Sequence, residues 1–241
     1  MSHGFAENGI GTFFQGTTAI VVRTVHNTKD TPAVYNATMI TFYEPQDPYG
    51  FFSNFSRHEV TVFERTWLTS EHASQAMKFY PHRPDLIIKV GMAPTPGRAA
   101  RLGRERSFPL RPDWDREPTE PWGRMHGLER LPEQHDGLDR MGGGPIEPVL
   151  HRTKDYIMYE VVFCKFLQHK DLRKKLLATE DKALVEDATF DPYWGWGASR
   201  IGLNKLGRIL MTVRFALRSQ KHEGWPTSEI PSCGTEVGLA Y

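Results

Sequence analysis

The stretch from Asp155 to Phe166 constrains the fold more than any other. Tyr156, Ile157, Tyr159, Val161, Phe163 and Phe166 leave almost no polar side on a helix built from it. A helix that is apolar nearly all round has to be covered on every side, so this one is predicted to run through the centre of the domain. Lys165 interrupts that face; it either snorkels outward or points into a site. Cys164 falls in the same apolar run and reads as a small buried hydrophobe.

The elements around this helix follow from local signals. Residues 40–43 and 60–63 alternate like strands. Glu64-Arg65 is predicted as the turn of a hairpin, with Thr66-Trp67-Leu68 returning. A helix capped by Thr69 or Ser70 runs to Phe79, with Pro81 beyond its end. Asp85 to Gly91 is a short helix, and Thr95-Pro96 opens the next, with proline at the first helical position. Residues 171–179 form a basic helix and 182–186 a strand. Asn204 caps a last helix whose apolar positions Leu206, Ile209, Leu210, Val213 and Leu217 keep helical spacing.

Residues 1–38 and 219–241 lack sustained patterning and are expected to be a disordered arm and tail. Residues 115–152 are rich in Gly, Pro, His and charge and contain the breaker Gly142-Gly143-Gly144-Pro145. That is too long for an ordinary loop, so a flexible insertion is expected there. The fold class is therefore α+β: one domain, residues 39–218, mainly helical around a small β-sheet.

Lys and Arg number 30 against 29 Asp and Glu, which is not the overall balance of a polyanion binder. No apolar run reaches membrane-spanning length, and no Cys/His spacing fits zinc. A cytoplasmic location, no membrane partner and no metal are the expectations.

The chemistry concentrates in Asp191-Pro192-Tyr193-Trp194-Gly195-Trp196-Gly197. Glycine between indoles gives little packing but lets a flat ligand approach the backbone, and indole faces stack on nucleobase-like rings. Glu71, Gln75 and Lys78 share one helical face. Such stripes are usually solvated, but Glu71 stands in the first turn after a tight strand exit. Arg98, Arg101, Arg104 and Arg106 cluster around Gly97 and Gly103, a composition suited to phosphate, although the Walker ending is missing. Trp114 is either an anchor for the insertion or a stacking wall. His72 beside Glu71 either orients it or is structural. No serine or cysteine occupies a nucleophile elbow, so the inventory favours acid/base chemistry by Glu71 and Asp191.

Taken together, these blocks resemble the NADAR family of YbiA-like proteins. The matching pieces include Ile40-Thr41-Phe42-Tyr43, Tyr49-Gly50-Phe51-Phe52-Ser53-Asn54-Phe55, Thr69-Ser70-Glu71-His72 and Gln75-Ala76-Met77-Lys78-Phe79. Leu102-Gly103-Arg104, Arg111-Pro112-Asp113-Trp114, Lys165-Phe166 and Leu184-Val185-Glu186 follow. Asp191-Pro192-Tyr193-Trp194-Gly195 and Gly202-Leu203-Asn204-Lys205-Leu206-Gly207 close the series. The chain departs from the family at Ala73 and Ser74, where aromatic residues are usual; their loss is expected to widen the pocket near Glu71.

The resemblance implies an N-glycosidase that cleaves ribose from nitrogen, most directly in phosphorylated ribosylamino-pyrimidines of early riboflavin synthesis. Removal of ADP-ribose from guanine bases, with nucleic acid as partner, and a non-catalytic NAD or ADP-ribose sensor are the alternatives. No cofactor is called for. An oxocarbenium-like state flanked by carboxylates gives Glu71 the acid/base role, with Asp191 positioning water or a ribose hydroxyl. Which acid does which stays open at this level. Trp114 and Trp194 would stack on the heterocycle. Lys78, Arg98 and Arg104 would hold phosphate, and Asn54 and Asn204 would bind sugar or base. Trp196 is expected to pack rather than act.

Overall fold

Two strands far apart in the chain meet in parallel. β1 (Met39–Phe42) pairs with β4 (Ala183–Glu186), placing Met39 opposite Ala183 and Phe42 opposite Glu186. A parallel pair needs a long crossover, and the intervening helices supply it. The computed structural model describes residues 39–118 and 149–220, all within one compact unit. The expectations for the arm, for the centre of the insertion and for most of the tail lie outside the described residues.

β2 (Val60–Val62) and β3 (Arg65–Trp67) form a second, antiparallel pair. Their turn is Phe63-Glu64, one residue earlier than expected, with both φ angles positive at 53° and 59°. Two positive φ angles are the signature of the type I′ hairpin. The register explains the shift: Val60 pairs with Trp67, and Val60, Val62 and Trp67 are all buried. The fold is α+β as expected, but its strands are split between two small sheets rather than one.

α4 (Thr153–Gln168) occupies the centre predicted for it. Ile157, Tyr159, Val161 and Phe163 are fully buried, and the helix packs on α6 (Lys205–Gln220), α1 (Ser70–Ala76) and β2. α1 starts at the predicted cap, with the Thr69 hydroxyl accepting from the His72 amide, and passes into a 3₁₀ turn at Met77–Phe79. α2 (Pro84–Gly91), α3 (Pro96–Gly103) and α5 (Lys170–Leu177) complete the set. No described helix is long and apolar enough to cross a membrane.

The two stems of the predicted insertion are ordered and joined. Thr153 N–H donates to Arg116 O at 2.8 Å, and Lys154 N–H donates to Trp114 O at 3.3 Å. This fastens Trp114 and Asp115 to the first turn of α4.

Asn204 precedes α6 but does not cap it with its side chain. Its Nδ2 donates to Leu184 O at 2.9 Å, and its Oδ1 accepts from Glu186 N–H at 3.0 Å. A side-chain amide imitates a peptide group, so Asn204 satisfies a strand edge that would otherwise hold unpaired backbone groups. Gly207 then lets α6 approach this strand: a Cβ there would stand 2.1 Å from Leu184 O. Gly207→Ala is therefore expected to destabilise the fold by about 2–3 kcal/mol through overpacking. Thermal denaturation checks this, and an unchanged Tm would remove the close-approach argument.

Candidate active site

A cleft of about 400 Å³ opens where the loop after β1, the Ser53–Asn54 loop, α1, the start of α4 and the segment after β4 converge. That size suits a small metabolite. Its wall contains five carboxyl groups, Glu44, Glu71, Asp115, Glu186 and Asp191, and three cations, Lys78, Arg104 and Lys154. Tyr43, Trp114, Tyr193, Trp194 and the exposed Phe190 supply aromatic surface.

Glu71 is positioned from both ends. Its backbone N–H, in the first turn of α1, donates to Asn54 O at 3.1 Å, which ties the helix to the Asn54 loop. Its Oε1 accepts from Gln75 Nε2 at 2.9 Å. Burial raises the carboxyl pKa, opposed by Gln75, Lys78 and Arg104 and reinforced by Asp191. Lys78 follows on the same face. Its Nζ donates to Gly103 O at 3.1 Å and lies 5.7 Å from the Trp114 ring centroid. Burial pushes this ammonium down to about 8 against the pull of Glu71. Gly103 has a packing reason as well, since a Cβ there would meet Gln75 Oε1 at 2.0 Å.

Asp191 is held as an Asx turn: its Oδ1 accepts from Tyr193 N–H at 3.0 Å and from Trp194 N–H at 2.9 Å. The turn aims Tyr193 and Trp194 at the cleft. The Tyr193 hydroxyl donates to Asp155 Oδ1 at 2.6 Å, while Lys154 Nζ sits 3.6 Å from its ring centroid. Lys154 also pairs with Asp115 at 2.6 Å. Trp196 lies outside the wall, where its Nε1 donates to Asp187 Oδ1 at 2.5 Å.

Asn54 is buried against Met158, with Nδ2 donating to Sδ at 3.2 Å and Oδ1 without a partner among the described residues. An orphaned acceptor in a cleft wall is matched to a ligand hydroxyl. Lys165 neither snorkels nor enters the site, contrary to both sequence expectations. Its fully buried Nζ donates to Phe51 O at 2.7 Å, Ser53 O at 3.1 Å and Ser56 Oγ at 2.7 Å, fixing the loop that carries Asn54. Burial brings this ammonium down to about 7. His72 is structural: its ring nitrogens bond Thr69 Oγ1 at 2.8 Å and Ala93 O at 3.0 Å.

Of the residues singled out from sequence, Asn54, Glu71, Lys78, Arg104, Trp114, Asp191 and Trp194 share this wall. Trp114 is largely packed into the core, whereas Trp194 is half-buried. Arg98 and Asn204 are not in the wall. Arg98 is exposed on α3, and the Asn204 side chain is committed to β4. Arg104→Ala is expected to raise KM about tenfold through loss of a charged contact. Arg98→Ala should leave KM unchanged; steady-state kinetics on the two variants check the pair.

Sequence reasoning missed Glu186 as a site residue. It ends β4, and burial, then Asp191 and Glu71, push its carboxyl up to about 8. The available signal was an acid closing a short apolar strand within the Leu184-Val185-Glu186 block.

A family model described as the NADAR domain matches residues 41–218. The chain belongs to the NADAR family. Its NADAR domain is 38% identical over 181 residues to the N-glycosidase Npun_R5314 of Nostoc punctiforme, covering 75% of this chain and 93% of that protein. It is 35% identical over 188 residues to the N-glycosidase YbiA of Escherichia coli, covering 78% and 94%. The chloroplastic riboflavin biosynthesis protein PYRR of Zea mays is 33% identical over 193 residues, covering 75% of this chain and 25% of that protein. The NMR structure of E. coli YbiA superposes with a TM-score of 0.57 at 34% identity, covering 80% of this chain and 92% of that one. The α+β architecture is thus shared across the NADAR domain.

Proposed function

We propose that this NADAR protein is an N-glycosidase that hydrolyses the bond between ribose and nitrogen in a phosphorylated ribosylamino-pyrimidine of riboflavin synthesis. The observation that carries this reading is one cleft holding Glu71, Glu186 and Asp191 together with Lys78, Arg104 and Lys154 and an aromatic wall. The pattern matches the parts of such a substrate: an anomeric carbon, a phosphate and a flat heterocycle. The names of the N. punctiforme, E. coli and maize relatives support the same reaction and pathway.

Cleavage at the anomeric carbon develops positive charge on the ribose, which facing carboxylates stabilise. Glu71 acts as acid/base, and Asp191, with Oδ1 tied to two amides, presents Oδ2 to water or to a ribose hydroxyl. Arg104, Lys78 and Lys154 meet the phosphate, Trp194 the ring, and the Asn54 acceptor a hydroxyl. A phosphorylated substrate does not cross membranes, so the cytoplasm is the proposed compartment.

The test is incubation with a ribosylamino-pyrimidine phosphate, with ADP-ribosylated guanine and with NAD, followed by mass spectrometry for free base. Release of the pyrimidine base is expected. Release from ADP-ribosylated guanine alone would move the proposal to ADP-ribosyl hydrolysis. Binding of NAD without any turnover would make the protein a sensor.

A further inference from the structure

We propose that Glu186 is the general acid of this cleavage, delivering its carboxyl proton to the departing nitrogen from the C-terminal end of β4. The assignment rests on the N-glycosidase reading and gives the proton-donating half of its acid/base work to Glu186, leaving Glu71 or Asp191 as the base.

Glu71, Asp191 and Glu186 differ in what holds their carboxyl groups. Glu71 Oε1 accepts from the Gln75 amide, and Asp191 Oδ1 accepts from two backbone N–H groups. Donors of this kind suit an anion. Glu186 has none: its Oε2 is sealed from water and has no hydrogen-bond partner among the described residues. An ionised oxygen there would lose its hydration and gain nothing in return, so the neutral acid is the favoured form. Its neighbours push the same way, because Asp191 and Glu71 both disfavour a third negative charge. Of Glu71, Asp191 and Glu186, only Glu186 has no donor among the described residues to stabilise its anion, and a difference in environment of this kind is what divides acid from base at a glycosidic site.

The backbone of Glu186 is also fixed in place. Its N–H donates to Asn204 Oδ1 at 3.0 Å and its carbonyl accepts from Trp196 N–H at 3.2 Å. Asp187 N–H donates to Phe42 O at 3.0 Å one residue later. Asn204, expected from sequence to touch substrate, instead positions the residue that does.

In the reaction the C1′–N bond breaks with its electron pair going to nitrogen, and nitrogen takes the Glu186 proton. The water oxygen bonds to C1′, and the proton it loses passes to Glu71 or Asp191. Exchange with solvent returns one proton to Glu186 and removes the other. The acid form exists below about pH 8 and is lost as pH rises through it, so turnover of an amine leaving group should fall above that pH. The other charged or titratable groups facing the cleft are Glu71 from α1, Lys78 from the 3₁₀ turn that follows it, Arg104 beyond α3 and Lys154 from α4. Tyr43 and Glu44 after β1, with Asp115, Asp191 and Tyr193, complete the set.

The experiment compares wild type and Glu186→Gln on two substrates. One is the ribosylamino-pyrimidine phosphate. The other is nitrophenyl ribofuranoside 5-phosphate, whose leaving group needs no proton. The variant is expected to lose about 10²–10⁴-fold in kcat on the first and no more than a few-fold on the second. Its alkaline limb on the first substrate should vanish. Equal loss on both substrates, or loss on neither, overturns the assignment. A wild type inert toward both overturns the N-glycosidase reading and this assignment with it. Should Glu186→Gln not fold, the wild-type profiles decide: an alkaline limb on the amine substrate alone supports the acid, and a flat profile above pH 8 overturns it.

Discussion

Replacing Glu71 with glutamine is expected to lower kcat for base release by about 10²–10⁴-fold, the usual worth of a positioned acid/base group. Glutamine keeps the size of the side chain and can still meet Gln75 Nε2 through its carbonyl oxygen. It cannot accept a proton from water or stabilise a cationic ribose. Substrate binding through Arg104, Lys154 and Trp194 is untouched, so the loss should fall on kcat more than on KM. The fold should survive. Burial raises the folded-state pKa of Glu71 above its ordinary value of 4.5. The carboxyl therefore favours folding fully only below its unfolded pKa, and that contribution is lost as pH rises through the folded one. A neutral isostere avoids this loss at neutral pH, so Glu71→Gln should melt no lower than wild type. Single-turnover kinetics with circular dichroism check both halves. Near wild-type turnover in a folded variant would remove the carboxylate logic at this position.

What could be read from the sequence follows from which interactions are local. Helical spacing is a property of a few neighbouring residues, and so Glu71, Gln75 and Lys78 were placed on one face correctly. The near-total burial of α4 was equally legible, because a helix without a polar side has one solution. Glu186 was not legible as a site residue. Its environment exists only once β1 and β4 pair and bring the segment after β4 to α1. Asn204 and Lys165 misled for a related reason. Polar side chains next to motif residues resemble ligand-binding groups, yet both are consumed by backbone groups of distant segments. Arg98 and Arg104 could not be told apart by composition. Arg98 is exposed in the first turn of α3, whereas Arg104 caps that helix at the cleft.

The second large effect concerns stability. Asp155 and Lys205 form an ion pair at 3.3 Å with both side chains fully buried. Asp155 Oδ2 also accepts from the backbone N–H groups of Arg152, at 3.0 Å, and His151, at 3.2 Å, and its Oδ1 accepts from the Tyr193 hydroxyl. Asp155→Ala removes the acceptor for all of these and takes the carboxylate partner from the buried Lys205 ammonium, while Val149 O stays 3.2 Å away. Breaking a buried pair from one side costs about 3–5 kcal/mol. For a chain of this length that corresponds to a Tm lower by roughly 6–20 °C. The same network aims Tyr193 at the cleft, so loss of activity should accompany loss of stability. Asp155→Asn separates the two contributions. It retains an oxygen for the Tyr193 hydroxyl while removing the charge, so it should recover more of the activity than of the melting temperature. If Asp155→Ala melts like wild type, the buried pair contributes nothing net. If Asp155→Asn loses activity as fully as Asp155→Ala, then the charge itself, rather than the hydroxyl contact, orients Tyr193.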